Sequence, residues 1–134
     1  MRIAVLSDIH GNLPALDAVL ESLAPFDAVW QLGDVVGYGP QPDEVVARLG
    51  DVGATGVRGN HDAAAIGELE TSAFNTDART AVLWTGTRIG AGTRTWLAAL
   101  PETSQRDDFT LVHGSLRDPT WEYVLTTPAA RANL

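Results

Sequence analysis

Val57-Arg58-Gly59-Asn60-His61-Asp62 is the stretch on which the reading of this chain turns. It follows a short apolar segment and precedes an alanine-rich, helix-compatible run, so it reads as the turn after a β-strand. Gly59 lets the backbone bend tightly. Beyond it the chain presents an amide, an imidazole and a carboxylate in succession. Taken alone, such a cluster is also compatible with a plain surface turn. Working outward, similar clusters follow three other predicted strands, and that recurrence gives the stretch its meaning.

Upstream, Arg2 to Ser7 is a short apolar run suited to a strand covered on both faces. It opens into Asp8-Ile9-His10-Gly11-Asn12. Residues two apart on an extended chain project to the same side, so Asp8 and His10 leave the strand end together. Pro14 starts a helix with Leu13, Leu16, Val19, Leu20 and Leu23 on one stripe, and Pro25 ends it. Phe26 to Leu32 predicts a second strand, followed by the loop Gly33-Asp34-Val35-Val36-Gly37-Tyr38-Gly39-Pro40. Pro42-Asp43-Glu44 has the composition of a first helical turn, and Val45, Val46 and Leu49 continue that helix to Gly50. A third strand, Ala54 to Val57, delivers Asn60 and His61. Strands and helices alternating at this spacing predict βαβ units and a parallel sheet. The carboxyl ends of such strands share one edge, where ligands bind. Asp8, His10, Asp34, Asn60 and His61 therefore converge, although they are far apart in sequence.

Downstream, Ala78, Ala81, Val82 and Thr85, then Trp96, Leu97 and Leu100, have helical spacing, with Gly86, Gly90 and Gly92 as breaks. Trp84 and Trp96 read as packing residues. Pro101 closes this region. The polar turn Arg106-Asp107-Asp108 precedes a strand from Phe109 to Val112, which ends in His113-Gly114-Ser115.

Composition bounds the function. The 134 residues make one domain by size, and an apolar content of 45% argues against disorder. No apolar run approaches a membrane span, and the first strand begins without a signal-peptide pattern. The absence of cysteine removes thiolate chemistry and suits a cytoplasmic protein. A net charge of −8 disfavours non-specific binding of nucleic-acid backbones. Several of the aspartates instead stand in predicted strand-end loops, where a cation could hold them. All nine basic residues are arginine, which composition bias explains.

The chain has three histidines, and each stands just beyond a predicted strand. A lone histidine is more often structural than a ligand; three of three, accompanied by Asp8, Asp34 and Asn60, point to a site. Oxygen and nitrogen donors without sulfur suit divalent Mn, Fe, Co, Ni or Zn. Two carboxylates, two imidazoles and an amide suffice for two ions if one carboxylate bridges them. Asp34, on the central loop, is the natural bridge.

Asp8-x-His10, Gly33-Asp34, Gly59-Asn60-His61-Asp62 and His113 resemble the first four of five motifs of the calcineurin-like metallophosphoesterases. The words Ser7-Asp8-Ile9-His10-Gly11-Asn12 and Gly33 to Pro40 resemble the small prokaryotic phosphodiesterases of that superfamily. The resemblance implies an α/β fold, a βαβ-built αβ-sandwich. It implies two divalent ions, one on Asp8 and His10, the other on Asn60 and His113, with Asp34 between them. It makes His61 a catalytic residue that contacts substrate and assists the leaving group, with Asp62 orienting it. Arg58 and Arg117 lie near the motifs and are candidate phosphate contacts. The implied activity is hydrolysis of a small phosphate ester, with a phosphodiesterase first and a phosphomonoesterase or protein Ser/Thr phosphatase as the alternative. Gly37-Tyr38 stands where the protein phosphatases carry Asp-Arg, which argues against them.

The fifth motif, Gly-His-x-His, has no counterpart after His113. A chain truncated before the last strands of the sandwich is therefore expected: incomplete as a metal site, a poor enzyme alone, and prone to oligomerise or to take a partner chain that completes the sheet. The rival reading is a non-catalytic metal-binding or protein-interaction module of the same fold. His61, which holds no metal in this family, favours the enzyme.

Overall fold

Three short strands, β1 (Ile3–Leu6), β2 (Ala28–Gln31) and β3 (Thr55–Gly56), pair in parallel in that order in the computed structural model, which describes residues 1–23 and 25–134. Ile3 faces Ala28 and Leu6 faces Gln31 across the first pair, and Trp30 faces Thr55 across the second. Two helices make the crossovers, α1 (Leu13–Leu23) and α2 (Pro42–Asp51). Then come α3 (Asn60–Ala65), α4 (Thr76–Arg88), α5 (Ala91–Ala99), the hairpin β4 (Thr103–Arg106) and β5 (Phe109–Val112), and α6 (Thr127–Ala132). The α/β architecture with a parallel sheet follows from the alternation that the sequence predicts.

Successive strand residues point to opposite faces, and the core divides accordingly. Ala4, Leu6 and Val29 meet Leu16 and Leu20 of α1, Val45, Val46 and Leu49 of α2, Val82 of α4 and Leu97 of α5 in one cluster. On the other face Trp30 joins Val57 and Leu111, with Ile3 and Leu32 against them. Phe109 packs edge-on against Trp30, ring centres 5.6 Å apart. The hairpin thus covers that face over Trp30 but leaves Val5 54% exposed.

Three local expectations need correction, and one strand finds a partner that the sequence left open: the strand ending at His113 is antiparallel to β4 in a separate two-stranded sheet. Its partner, Thr103-Ser104-Gln105-Arg106, is wholly polar and carries no apolar alternation, so periodicity did not reveal it. Asn60 and His61 lie in the first turn of α3 rather than in a free turn. Of the three expected glycine breaks only Gly90 separates helices. Gly86 lies within α4, where a β-carbon would sit 2.8 Å from the Ala65 carbonyl oxygen, so it is there for helix contact. Finally, Trp84 is exposed, with the Arg88 guanidinium 5.5 Å from its ring centre, whereas Trp96 packs against the core. No helix among the described residues is long and apolar enough to cross a membrane.

Candidate metal centre

The loops after β1, β2, β3 and β5 bring Asp8, His10, Asp34, Asn60, His61 and His113 to one place. Asp34 is its centre and is almost wholly buried. Its Oδ1 accepts from the His61 backbone N–H at 2.9 Å, which ties the β2 loop to the start of α3. Its Oδ2 lies 3.7 Å from His10 Nε2 and 3.5 Å from His113 Nε2. His10 Nε2 is also 3.8 Å from Asp8 Oδ1. The Asn60 side-chain amide stands 3.2 Å from each oxygen of Asp34 and 3.2 Å from His113 Nε2, where its NH2 can donate to all three or its oxygen can face a cation beside them.

Backbone carbonyls orient two of the imidazoles. His113 Nδ1 is 2.8 Å from the Leu32 oxygen, and His10 Nδ1 is 3.1 Å from the Val36 oxygen. A carbonyl only accepts, so both Nδ1 atoms carry the proton and both Nε2 atoms turn lone pairs toward Asp34. This outer-shell contact is the one that metal-binding histidines ordinarily make. Ser7 Oγ donates to Asp8 Oδ2, leaving Oδ1 for the site.

Close approach depends on glycine at two points. A β-carbon on Gly59 would lie 2.1 Å from Asp34 Oδ1. Gly37, at φ +93°, leaves room for the His61 ring, whose Nδ1 would be 2.5 Å from a β-carbon there. That Nδ1 is buried and has no hydrogen-bond partner. Asp8, His10 and Asp34 all adopt left-handed backbone, with φ of 55°, 51° and 54°. Such conformations are costly for residues other than glycine and cluster at functional sites.

The electrostatics follow from burial. Desolvation, with the charges of Asp62 and Asp8 nearby, pushes the Asp34 carboxyl from 3.8 up to about 8, against the pull of the His61 N–H. Burial also lowers His61 to about 4, helped by His10 and His113 and opposed by Asp8. Asp62 is raised by complete burial, opposed by the backbone amides it accepts from.

A cluster of lone pairs this dense needs protons or cations to hold it together. The Asn60 side-chain amide, the Asp34 oxygens and two Nε2 atoms all face inward, and no arginine among the described residues pairs with Asp8 or Asp34. Two donors each about 2.1 Å from one ion lie roughly 3.0–3.4 Å apart, close to the 3.2–3.8 Å separations found here. The donor set therefore fits divalent cations. Donor atoms of His10, Asp34 and His61 lie within 4.8 Å of one another, as do those of Asp8, Asp34 and His113. The sequence reading divides the donors otherwise, Asp8 with His10 and Asn60 with His113; Asp34 is common to both divisions.

The remaining expected site residues stand back from this cluster. Asp62 accepts from Val36 N and Gly59 N, both at 3.0 Å, so it fastens the β2 loop to α3 and acts on the backbone rather than on the imidazole. Arg58 is paired with Glu68 at 2.6 Å. Arg117 is 3.7 Å from Glu122. Sequence reasoning passed over the aromatic surround. Tyr38 lies 4.9 Å from His10 and 4.8 Å from His61, ring centre to ring centre, and Phe74 is 4.9 Å from His61 on the other side. The flanking glycines of Gly37-Tyr38-Gly39 were the available signal, since they mark a loop that holds an exposed ring in an unusual conformation.

Residues 1–130 match calcineurin-like phosphoesterases. An uncharacterized protein of Methanocaldococcus jannaschii is 36% identical over 129 residues, covering 91% of this chain and 53% of that protein. Phosphodiesterase YfcE of Escherichia coli K12 is 49% identical over 43 residues, 31% of this chain and 23% of that one. A metallophosphoesterase from Sphaerobacter thermophilus superposes with a TM-score of 0.86 at 44% identity, over 99% of this chain and 55% of that structure. The chain thus spans about half the length of the first and last of these relatives. The match runs through every loop that contributes to the cluster, and the chain belongs to the calcineurin-like phosphoesterase family.

Proposed function

We propose that this chain carries the metal-binding half-site and the proton-handling histidine of a metal-dependent phosphodiesterase acting on small phosphate esters in the cytoplasm. The observation that supports it most is the inward-facing set of the Asn60 side-chain amide, the Asp34 carboxyl and the Nε2 atoms of His10 and His113, with no arginine among the described residues paired to it. In this reading Asp8 and His10 hold one divalent ion, Asn60 and His113 a second, and Asp34 lies between. Divalent ions held there, of which manganese is our first choice, would supply Lewis acidity toward phosphate oxygens and a water that is nucleophilic at neutral pH.

The chain's own residues do the rest. The Leu32 and Val36 carbonyls hold Nδ1 of His113 and His10, so both rings present Nε2 to the site. The neutral amide of Asn60 limits the negative charge of the pocket, which favours an anionic substrate. His61 is held neutral by burial and keeps one N–H to give to the departing oxygen. Asp62 keeps that ring in register indirectly, by fastening the start of α3 to the loop beneath it. Arg58 and Arg117 reach phosphate only if they leave Glu68 and Glu122.

The test is metal content and hydrolysis measured together. Protein purified without chelator should carry divalent metal and hydrolyse bis(p-nitrophenyl) phosphate weakly with added Mn²⁺, and Asp34→Ala should lose most of both. Equal metal content in wild type and Asp34→Ala would overturn the reading.

A further inference from the structure

Tyr38 shares the left-handed backbone of three site aspartate and histidine residues, at φ +54°, yet it offers no donor to a cation site. For Asp8, His10 and Asp34 the distortion brings a ligand atom inward. For a bulky aromatic the same conformation is a genuine outlier and calls for another reason. What it achieves is placement. The Tyr38 ring stands edge-on to His10, tilted at 39° to His61, and remains 51% exposed. Tyr38 and Pro40 line the cleft that contains Asp8 and His10, and also a groove that runs to Ala81 and Trp84 on α4. Trp84 is itself 41% exposed at that end. Tyr38 therefore stands between the cleft of Asp8 and His10 and a second, open groove that Trp84 also lines.

We propose that Tyr38 is a specificity-determining residue: its open face stacks a planar aromatic group, an aryl ring or a nucleobase, carried on the phosphate, and directs it into the groove toward Trp84. This rests on the phosphoesterase reading of the adjoining cluster. An exposed ring in a strained loop is costly unless something covers it, and an aromatic face covers planar groups best, through offset or edge-to-face contact. The groove offers Asp77 and Thr80 beside the two rings, so a substituted ring meets polar atoms at its rim. The proposal accounts for a tyrosine at a position where glycine would relieve the backbone.

Two phosphonates, whose P–C bonds resist hydrolysis, separate this proposal from the one beneath it. Calorimetric titration of the Mn²⁺-loaded protein should give an affinity for phenylphosphonate about tenfold above that for methylphosphonate, the range of a single aromatic stack. Tyr38→Leu should bring the two affinities together with metal content unchanged, and Tyr38→Phe should keep the preference. Tyr38→Gly, which removes the ring and relieves the positive φ, guards against a folding defect and should behave as Tyr38→Leu does. Equal wild-type affinities, or a preference that survives in both Tyr38→Leu and Tyr38→Gly, would overturn the stacking role and leave the phosphoesterase reading standing. A Mn²⁺-loaded wild type that binds neither phosphonate would overturn both.

Discussion

Asp34→Asn should stabilise the metal-free protein while destroying its response to metal. Asp34 is pushed from 3.8 to about 8 in the folded chain, so at pH 7 folding holds a proton that the unfolded chain has released. Linkage makes the cost about 4 kcal/mol relative to a side chain that never ionises. The replacement amide fits the surroundings. Its oxygen still accepts from His61 N at 2.9 Å, and its nitrogen, in place of Oδ2, faces Asn60 Oδ1 at 3.2 Å and His113 Nε2 at 3.5 Å. A gain of roughly 2–4 kcal/mol is expected, the lower figure allowing for the hydrogen bonds that the protonated acid already makes. The pH dependence carries the same signature. A carboxyl whose pKa is raised on folding favours the folded state at low pH and loses that advantage as pH climbs through the folded value. His61, lowered from 6.5 to about 4, works in the opposite sense: its contribution is present above 6.5 and is lost as pH falls through 4. The window from 6.5 to 8 is therefore free of the histidine, and there metal-free wild type should lose about 1–2 kcal/mol that Asp34→Asn retains. Urea unfolding in chelator at pH 6.5, 7 and 8, repeated with Mn²⁺, measures all of this. Added Mn²⁺ should stabilise wild type and leave Asp34→Asn unmoved. If Asp34→Asn is no more stable than wild type in chelator at pH 7, the burial argument for Asp34 is wrong.

Three further outcomes are expected. His61→Gln should retain metal and slow hydrolysis of alkyl phosphodiesters by roughly 10²–10⁴-fold, with little effect on activated aryl esters, because only poor leaving groups need the proton; steady-state rates on both ester types decide it. Gly59→Ala would place a methyl 2.1 Å from Asp34 Oδ1 and 2.4 Å from Asp34 N, so it should cost about 1–3 kcal/mol and most of the bound metal, read by urea titration and metal analysis. The chain should associate with rising concentration through the outer edge of β1 and the exposed Val5, and Val5→Lys should weaken that association in size-exclusion chromatography. A monomer at all concentrations would show that this face needs no cover.

The sequence by itself determined the parallel α/β frame and the convergence of the strand-end residues. Apolar runs two and three turns long, punctuated by Pro14, Pro25, Pro40 and Pro42, leave little choice of element. Chirality and strand polarity then place the ends of β1, β2 and β3 on one edge, so Asp8, His10, Asp34, Asn60 and His61 meet without any knowledge of side-chain packing. What local pattern cannot carry is pairing between distant segments. The hairpin that delivers His113 was half invisible, because β4 is polar on both faces and is held by its ladder to β5 rather than by burial. Asp62 was read by its neighbour in sequence, His61, whereas its hydrogen bonds go to Val36, twenty-six residues away, and to the backbone of Gly59. The aromatic surround of Tyr38, Phe74 and Trp121 joins three separate loops, with Phe74 and Trp121 ring centres 4.9 Å apart. Tertiary structure alone decided such matters, since tautomers, carboxylate pKa values and exposed rings depend on which buried atoms come within a few ångströms, and periodicity along the chain says nothing about that distance.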